Sequence, residues 1–249
     1  MKDTNLLIIT SIRNNLRSKI TLIVYIAVVT VVIICVLGIA IAFCLFFIAP
    51  AMDVELPDRS ELELYLGLIM YTTCFIGLGV NLNAFAFQSM TREKSRGNIE
   101  SLLATPLKVK DIWIAKSLAV FVPGLVLGEI LTLIVLIAIN YIYFVPKIGF
   151  LFTPWIAMSS LITVPLIYLC LSLLVHLIGL TGKPATGNII VQVFLPIIIT
   201  LMINIIVRHI LDITSWPFTL VNLGIAAAIA ITIIFLRSRL TRERIVLSR

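Results

Sequence analysis

Glu129 is the one acidic residue that lies well inside a long apolar stretch of this chain. A charged side chain at the centre of a bilayer costs about 2.5–3.5 kcal/mol on insertion scales, so such residues usually face a cavity or a protein partner. Glu129 follows the sequence GLVLG, in which Gly124 and Gly128 allow a second helix to approach closely. Two interpretations stay open: Glu129 is a wall group of a transport path, or it is a hydrogen-bonded residue at a helix contact.

Three amide side chains are further candidates for a transport path. Asn81, Asn140 and Gln192 all lie within apolar stretches. An unsatisfied polar group is costly in lipid, so the commoner role of such residues is a hydrogen bond between helices. Their residue types alone do not decide between the two roles.

Motifs of hydrolytic and nucleotide-binding enzymes are absent from the sequence. The sequence GLTGKP at residues 179–184 lacks the first glycine of a phosphate-binding loop at the right spacing, and Pro184 follows its lysine. There is no HExxH and no GxSxG, and the four cysteines form no CxxC pair. We therefore expect no catalytic residues, no metal site and no ATP bound by this chain.

The composition indicates an all-α membrane protein. Of the 249 residues, 61% are hydrophobic and 12% are charged, whereas average soluble chains carry about 25% charged residues. A transmembrane helix needs about 20 apolar residues. Six stretches qualify, and they leave no room for a separate soluble domain, so we predict one transmembrane domain over residues 1–249. The predicted spans are residues 20–49, 64–88, 112–144, 154–178, 188–207 and 217–236.

The distribution of basic residues predicts the orientation. If the chain crosses the membrane six times, 16 of the 19 lysines and arginines fall on one side. Short basic loops stay in the cytoplasm, so both termini are expected there, in a protein of the plasma membrane. Residues 1–19 are predicted to form an amphipathic helix at the membrane surface, and residues 237–249 a basic cytoplasmic tail. The net charge of +7 then reflects topology and attraction to membrane lipids, not nucleic-acid binding.

A charged segment between the second and third predicted spans has a distinct pattern. Residues 92–116 read REKSRGNIESLLATPLKVKDIWIAK. Gly97 interrupts the preceding helix, and Thr105-Pro106 ends a new one, because the residue before proline avoids helical angles. Ile99, Leu102 and Leu103 share one apolar face of the short helix between them. The pattern predicts a helix held just below the membrane, with an apolar face suited to a groove in a cytoplasmic partner.

This segment resembles the signature of type-2 ABC transporter permeases. That signature combines an acid–base pair, Gly-Thr-Leu-Glu, a leucine pair, Thr-Pro-Leu and a lysine that opens the third span. Here Asn98-Ile99 replaces the usual Thr-Leu. The matching residues are Arg92-Glu93-Lys94, the run GNIESLLATPL at residues 97–107, and Lys116.

The resemblance implies the membrane-spanning subunit of an ATP-binding-cassette exporter. Two such subunits, identical or homologous, would pair above two copies of a cytoplasmic ATPase, which would carry ATP and magnesium. The short helix would be the coupling helix, which transmits movement of the ATPase to the spans, and Glu93 and Glu100 would fix the contact. The ATPase-coupling residues implied are Glu93, Gly97, Ile99, Glu100, Leu102, Leu103, Thr105 and Pro106.

Two other functions are alternatives to an exporter. A gradient-driven carrier or channel would use Glu129, but such carriers tend to show internal repeats or several intramembrane charges. A membrane enzyme acting on lipid has no catalytic constellation in this sequence. Co-purification of an ATPase separates the exporter from both. The sequence does not identify the cargo, although the apolar spans favour a hydrophobic or amphipathic molecule.

Overall fold

The computed structural model describes residues 9–10, 19–53, 58–95, 98–182, 184–208 and 210–247. Most of these residues are helical and none lies in a strand, which confirms the all-α prediction for this part of the protein. The amphipathic helix predicted for residues 1–19 lies almost wholly outside the described residues.

The described chain forms ten α-helices, several of which continue into a π-helical or 3-10 turn. Their bounds, in chain order, are α1 Lys19–Phe43 with a π turn Cys44–Ile48, α2 Ala49–Met52, α3 Arg59–Ser95, α4 Asn98–Leu103, α5 Val109–Ile139 with a π turn Asn140–Phe144, α6 Pro154–Ala157 with a π turn Met158–Thr163, α7 Val164–Thr181, α8 Pro184–Val207, α9 Trp216–Leu236 with a 3-10 turn Arg237–Arg239, and α10 Arg242–Leu247.

Five helical stretches in the described residues are long and apolar enough to cross a membrane, so the protein is membrane-embedded. They are Tyr25–Met52, Arg59–Ala84, Val109–Phe144, Pro154–Thr181 and Trp216–Arg239. The stretch predicted at residues 188–207 falls within α8, a continuous helix of 24 residues.

The second predicted span is part of a longer helix than the apolar run indicates. We expected a span over residues 64–88, whereas α3 begins at Arg59 and continues to Ser95. Its start is fixed by Asp58, whose carboxylate accepts hydrogen bonds of 2.9 Å from both the backbone N–H and the hydroxyl of Ser60. The ion pair between Arg59 and Glu63 adds to this first turn.

Helix α3 lies at the centre of the bundle and packs against α1, α5, α7 and α8. One buried cluster joins α1, the first half of α3 and the second half of α5. Another lies at the opposite end, where α4 meets α5, α7, α9 and α10. We call this second region the α4 end of the bundle.

Asn140 organises the end of the bundle opposite to α4. This buried amide donates to the carbonyl of Leu136 at 3.0 Å and accepts from the backbone N–H of Leu151 at 2.6 Å. It therefore ties the π turn after α5 to the hairpin that leads into α6. Lys147 in this hairpin donates to the carbonyl of Met52, so the hairpin is also attached to α2.

Candidate functional site

The short helix α4 is packed onto the protein by the face that the sequence analysis assigned to a partner. Ile99 and Leu103 are buried, and Leu102 is half-buried, in a cluster that includes Trp113 and Leu177. The physical reason is that a six-residue helix is not stable alone and needs tertiary packing. These three side chains therefore hold α4 against the bundle, and their role in coupling to a partner stays a prediction.

The exposed side of the site is the turn that follows α4. Ala104, Pro106 and Lys108 are exposed, and Lys110 follows on the first turn of α5. Thr105 ends the helix, because its backbone N–H and its hydroxyl both approach the carbonyl of Leu102, at 3.2 and 2.5 Å. The turn and the start of α5 therefore expose two lysines at the α4 end.

The structure describes only some of the other residues that are predicted to couple to an ATPase. Glu93 belongs to the last turns of α3 and Glu100 to α4. Gly97 lies outside the described residues. Helix α4 begins at Asn98 and ends at Leu103, as expected between Gly97 and Thr105-Pro106.

Three contacts attach this site to the rest of the bundle. Lys94 donates to the carbonyl of Gly182 at 2.5 Å, which satisfies the C-terminal end of α7. The indole N–H of Trp113 donates to the carbonyl of Leu173 at 2.9 Å. Arg242 donates to the carbonyl of Leu107 at 3.1 Å. Partial burial of Lys94 lowers the pKa of its ammonium group to about 8.

Glycines bring α3 and α5 into direct backbone contact near the middle of the bundle. A Cβ atom added to Gly77 would lie 2.9 Å from the Cα atom of Gly128, which is too close for any side chain. One turn earlier, a Cβ atom on Gly124 would lie 2.6 Å from Nδ2 of Asn81. The structure therefore places Gly124 and Gly128 at a helix contact and identifies Gly77 as a partner that the sequence pattern did not indicate.

Asn81 is buried within this contact and crosses between the two helices. Its Nδ2 donates to the carbonyl of Val120 at 2.9 Å. Among the described residues, its Oδ1 has no hydrogen-bond partner. The side chain therefore joins α3 to α5 by a hydrogen bond, and its Oδ1 atom remains an unused acceptor among the described residues.

Glu129 stands at the edge of the same contact. It is half-buried and directly follows Gly128, which lies against Gly77 of α3. Val126, Ile130 and Leu133, its neighbours on α5, are exposed. Glu129 therefore lies between the packed side of α5 and its apolar exterior.

The four polar residues proposed for a path are not gathered into one site. Asn140 lies eleven residues beyond Glu129, about 16 Å along the helix at 1.5 Å per residue, and is occupied by its own hydrogen bonds. Gln192 is exposed on α8. An open, largely apolar groove runs along this helix from Pro196 and Ile197 to Asn204 and Arg208.

Several structural residues have no signal in the sequence. Tyr71 of α3 donates to Asn222 of α9 at 2.7 Å, and Tyr168 of α7 donates to the carbonyl of Phe75 at 2.8 Å. Each pair is far apart in the chain, so no local pattern reveals it. These bonds fix α7 and α9 to the central helix.

The described residues contain no group of three or more His, Cys, Asp or Glu side chains arranged to hold a metal ion. Comparison of the chain with protein-family models, with curated proteins and with solved structures finds no match.

Proposed function

We propose that this protein is the permease subunit of an ATP-binding-cassette exporter. The observation that carries the proposal is α4 with its following turn: a short helix between two long helices, packed inward by its apolar face and exposing a basic turn. The signature-like sequence of residues 92–116 supports the same function. Two ATPase subunits, which hold ATP and magnesium, would dock here, and a second permease subunit, identical or homologous, would complete the path.

We further propose six spans, with α8 as the fifth. Helix α8 has the length and the apolar sequence of a span, and it connects a turn at the α4 end to the opposite end of the bundle. With six spans, the strongly basic segments all face the cytoplasm of a plasma-membrane protein, together with both termini.

The proposed mechanism is mechanical and involves no reaction on this chain. Glu93, Glu100 and the exposed turn from Ala104 to Lys108 would contact the ATPase. Ile99 and Leu103 would keep α4 fixed to α5 and α7. Closure of the ATPase dimer on ATP would displace α4, and the contact of Gly77 with Gly128 would carry α3 and α5 along as one body.

A second candidate function is a gradient-driven carrier that uses Glu129. Its support is the position of this acid at the edge of an exposed apolar face, where a partner or cargo would have to cover it. In either case the apolar groove on α8 favours a hydrophobic or amphipathic cargo.

The experiment that tests the proposal is co-purification of the tagged chain from its native membranes, followed by an assay of ATP hydrolysis. We expect the wild type to retain an ATPase subunit and Glu100→Lys to lose it. Asp212→Lys is the matched control, because Asp212 is exposed in the α8–α9 loop, outside α4 and its following turn, and the change in charge is identical. A wild-type preparation without any ATP-hydrolysing subunit would contradict the exporter and favour the carrier.

A further inference from the structure

The C-terminal residues fold back onto the candidate coupling site. After α9 the chain makes a 3-10 turn, in which the N–H of Leu240 donates to the carbonyl of Arg237 at 3.1 Å. Helix α10 then begins, and the N–H of Ile245 donates to the carbonyl of Thr241 at 3.2 Å. The sequence alone predicts only a basic tail over residues 237–249. We call residues 240–247 the C-terminal strap.

The strap shares its buried surface with α4. Ile245 is 4% exposed and belongs to the same cluster as Ile99 and Leu103. Leu240 and Leu107 pack against this cluster from the strap and from the turn after α4. On this six-residue helix Ile245 is buried, whereas Arg242, Glu243 and Val246 are exposed.

A directed hydrogen bond fixes the register of this contact. Arg242 donates from Nη2 to the carbonyl of Leu107 at 3.1 Å. Leu107 follows Pro106 in the exposed turn, so the guanidinium group holds the backbone of the docking surface itself. The contact joins residues 135 positions apart in the chain.

We propose that the C-terminal strap is a positioning element that connects the docking surface to α9. This proposal rests on the proposed function of α4. In the covalent chain, the neighbours of α4 are α3 and α5. The strap follows directly after α9 and therefore links α9 to α4 by packing. A displacement of α4 therefore reaches α9 through Ile245 and Arg242, as well as α3 and α5 through the backbone. Ile245 and Arg242 act through α4 and need not contact the ATPase.

The docking of the strap is tested first, without any ATPase. In a background that lacks the four native cysteines, Ile245→Cys and Val246→Cys are labelled with a membrane-impermeant maleimide on inside-out vesicles. Val246 is exposed, and the two residues are neighbours on one helix. We expect Ile245→Cys to react about tenfold more slowly, because labelling requires local opening. Equal rates would mean that the strap lies on the lipid surface or in solvent, and they would overturn the proposal.

The positioning role is tested in the complex with the ATPase. The reporter is Asp212→Cys in the α8–α9 loop, whose labelling rate is compared with and without ATP and vanadate. We expect Ile245→Asp to retain the ATPase but to reduce the nucleotide-dependent change in labelling about tenfold, within the usual range of coupling between sites. Val246→Asp should leave the change as in the wild type.

A milder pair of variants covers the case in which Ile245→Asp fails to fold. Arg242→Ala removes the hydrogen bond to Leu107, and Arg239→Ala removes the same charge from an exposed residue next to the strap. The proposal is supported if the nucleotide-dependent change in labelling is smaller in Arg242→Ala but not in Arg239→Ala. It is overturned if the change in Arg242→Ala equals that of the wild type. Absence of an ATPase from the wild type would instead overturn the proposed function, while the maleimide contrast still decides whether the strap is docked.

Discussion

Lys94 is a partly buried cation that contacts the C-terminal end of helix α7. Its ammonium group donates to Gly182 beyond the end of α7, where the partial negative charge of the helix C-terminus favours a cation. Partial burial acts in the opposite direction and lowers the pKa to about 8. The folded protein therefore binds this proton less tightly than the unfolded chain, in which a lysine has its ordinary pKa of about 10.4.

This difference predicts a pH dependence of stability. Between about pH 8 and pH 10, the unfolded state retains the proton that the folded state has lost, so the free energy of unfolding should rise with pH. We expect Lys94→Met to flatten this rise in thermal unfolding measured in detergent. Lys108→Met, a change at an exposed lysine of the same region, is the control. Identical pH profiles for the two variants would contradict the burial of Lys94.

Gly77 makes a second prediction at the scale of single residues. A methyl group at this position meets the backbone of Gly128, which has no flexible atoms to move aside. We expect Gly77→Ala to destabilise the protein by about 1–3 kcal/mol, the usual cost of overpacking, seen as a lower thermal midpoint. Gly38→Ala on α1 is the control, because nothing lies within 4 Å of the added atom. A midpoint equal to that of Gly38→Ala would show that the two helices are further apart.

At the scale of elements, α4 and the turn that follows it differ in the burial of their side chains. Leu103 is buried against the bundle, and Ala104, its neighbour in the chain, is exposed. We expect Leu103→Ala to lower the stability of the protein by about 2 kcal/mol or more, as for other buried leucines. Ala104→Arg should leave the thermal midpoint unchanged and weaken retention of the ATPase.

Measurements of the thermal midpoint and of ATPase co-purification on the same two preparations check this pair. If Ala104→Arg retains the ATPase fully, the exposed turn is not the contact surface. If Leu103→Ala unfolds at the wild-type temperature, α4 is not held by its apolar face.

Sequence patterns predicted most helices but not how they meet. Long apolar runs identify spans because only a helix satisfies its own backbone in lipid. Helix α3 extends beyond the predicted span at both ends, because its start depends on Asp58 and its last turns are polar. The sequence places helix breakers at Gly97 and Pro106, and α4 occupies Asn98–Leu103 between them. The inward direction of its apolar face depends on tertiary packing against Trp113 and Leu177, which no local pattern shows.

The motif in residues 92–116 indicated the candidate site, whereas no motif in the sequence indicated the C-terminal strap. Residues 242–247 read RERIVL, a charged sequence too short to suggest a stable helix. Burial of Ile245 comes from residues more than a hundred positions away. In the same way, the GLVLG sequence predicted one side of a helix contact, and Gly77 on the other side appears only when α3 and α5 are brought together.

At the scale of the whole molecule, the proposed six spans make a prediction about sidedness. If α8 crosses the membrane, Asp212 in the loop after it lies outside, while Lys110 beside α4 lies inside. We expect an impermeant maleimide to label Asp212→Cys but not Lys110→Cys in intact cells, in a background without the native cysteines. Both residues are exposed, so the comparison reports the side of the membrane. No labelling of Asp212→Cys until the membrane is opened would exclude the sixth span.

The contact of Gly77 with Gly128 also has a geometric consequence for the molecule. Gly77 stands at the midpoint of α3, about 27 Å from Arg59 and equally far from Ser95 at 1.5 Å per residue. A rigid rod that tilts about its midpoint moves its two tips by equal distances in opposite directions. If the proposed exporter pivots at this glycine pair, an inward push of a few ångströms beside α4 would become an outward swing of the same size at the other end of α3. The helix would then act as a lever with equal arms, which reverses the direction of a movement without amplifying it.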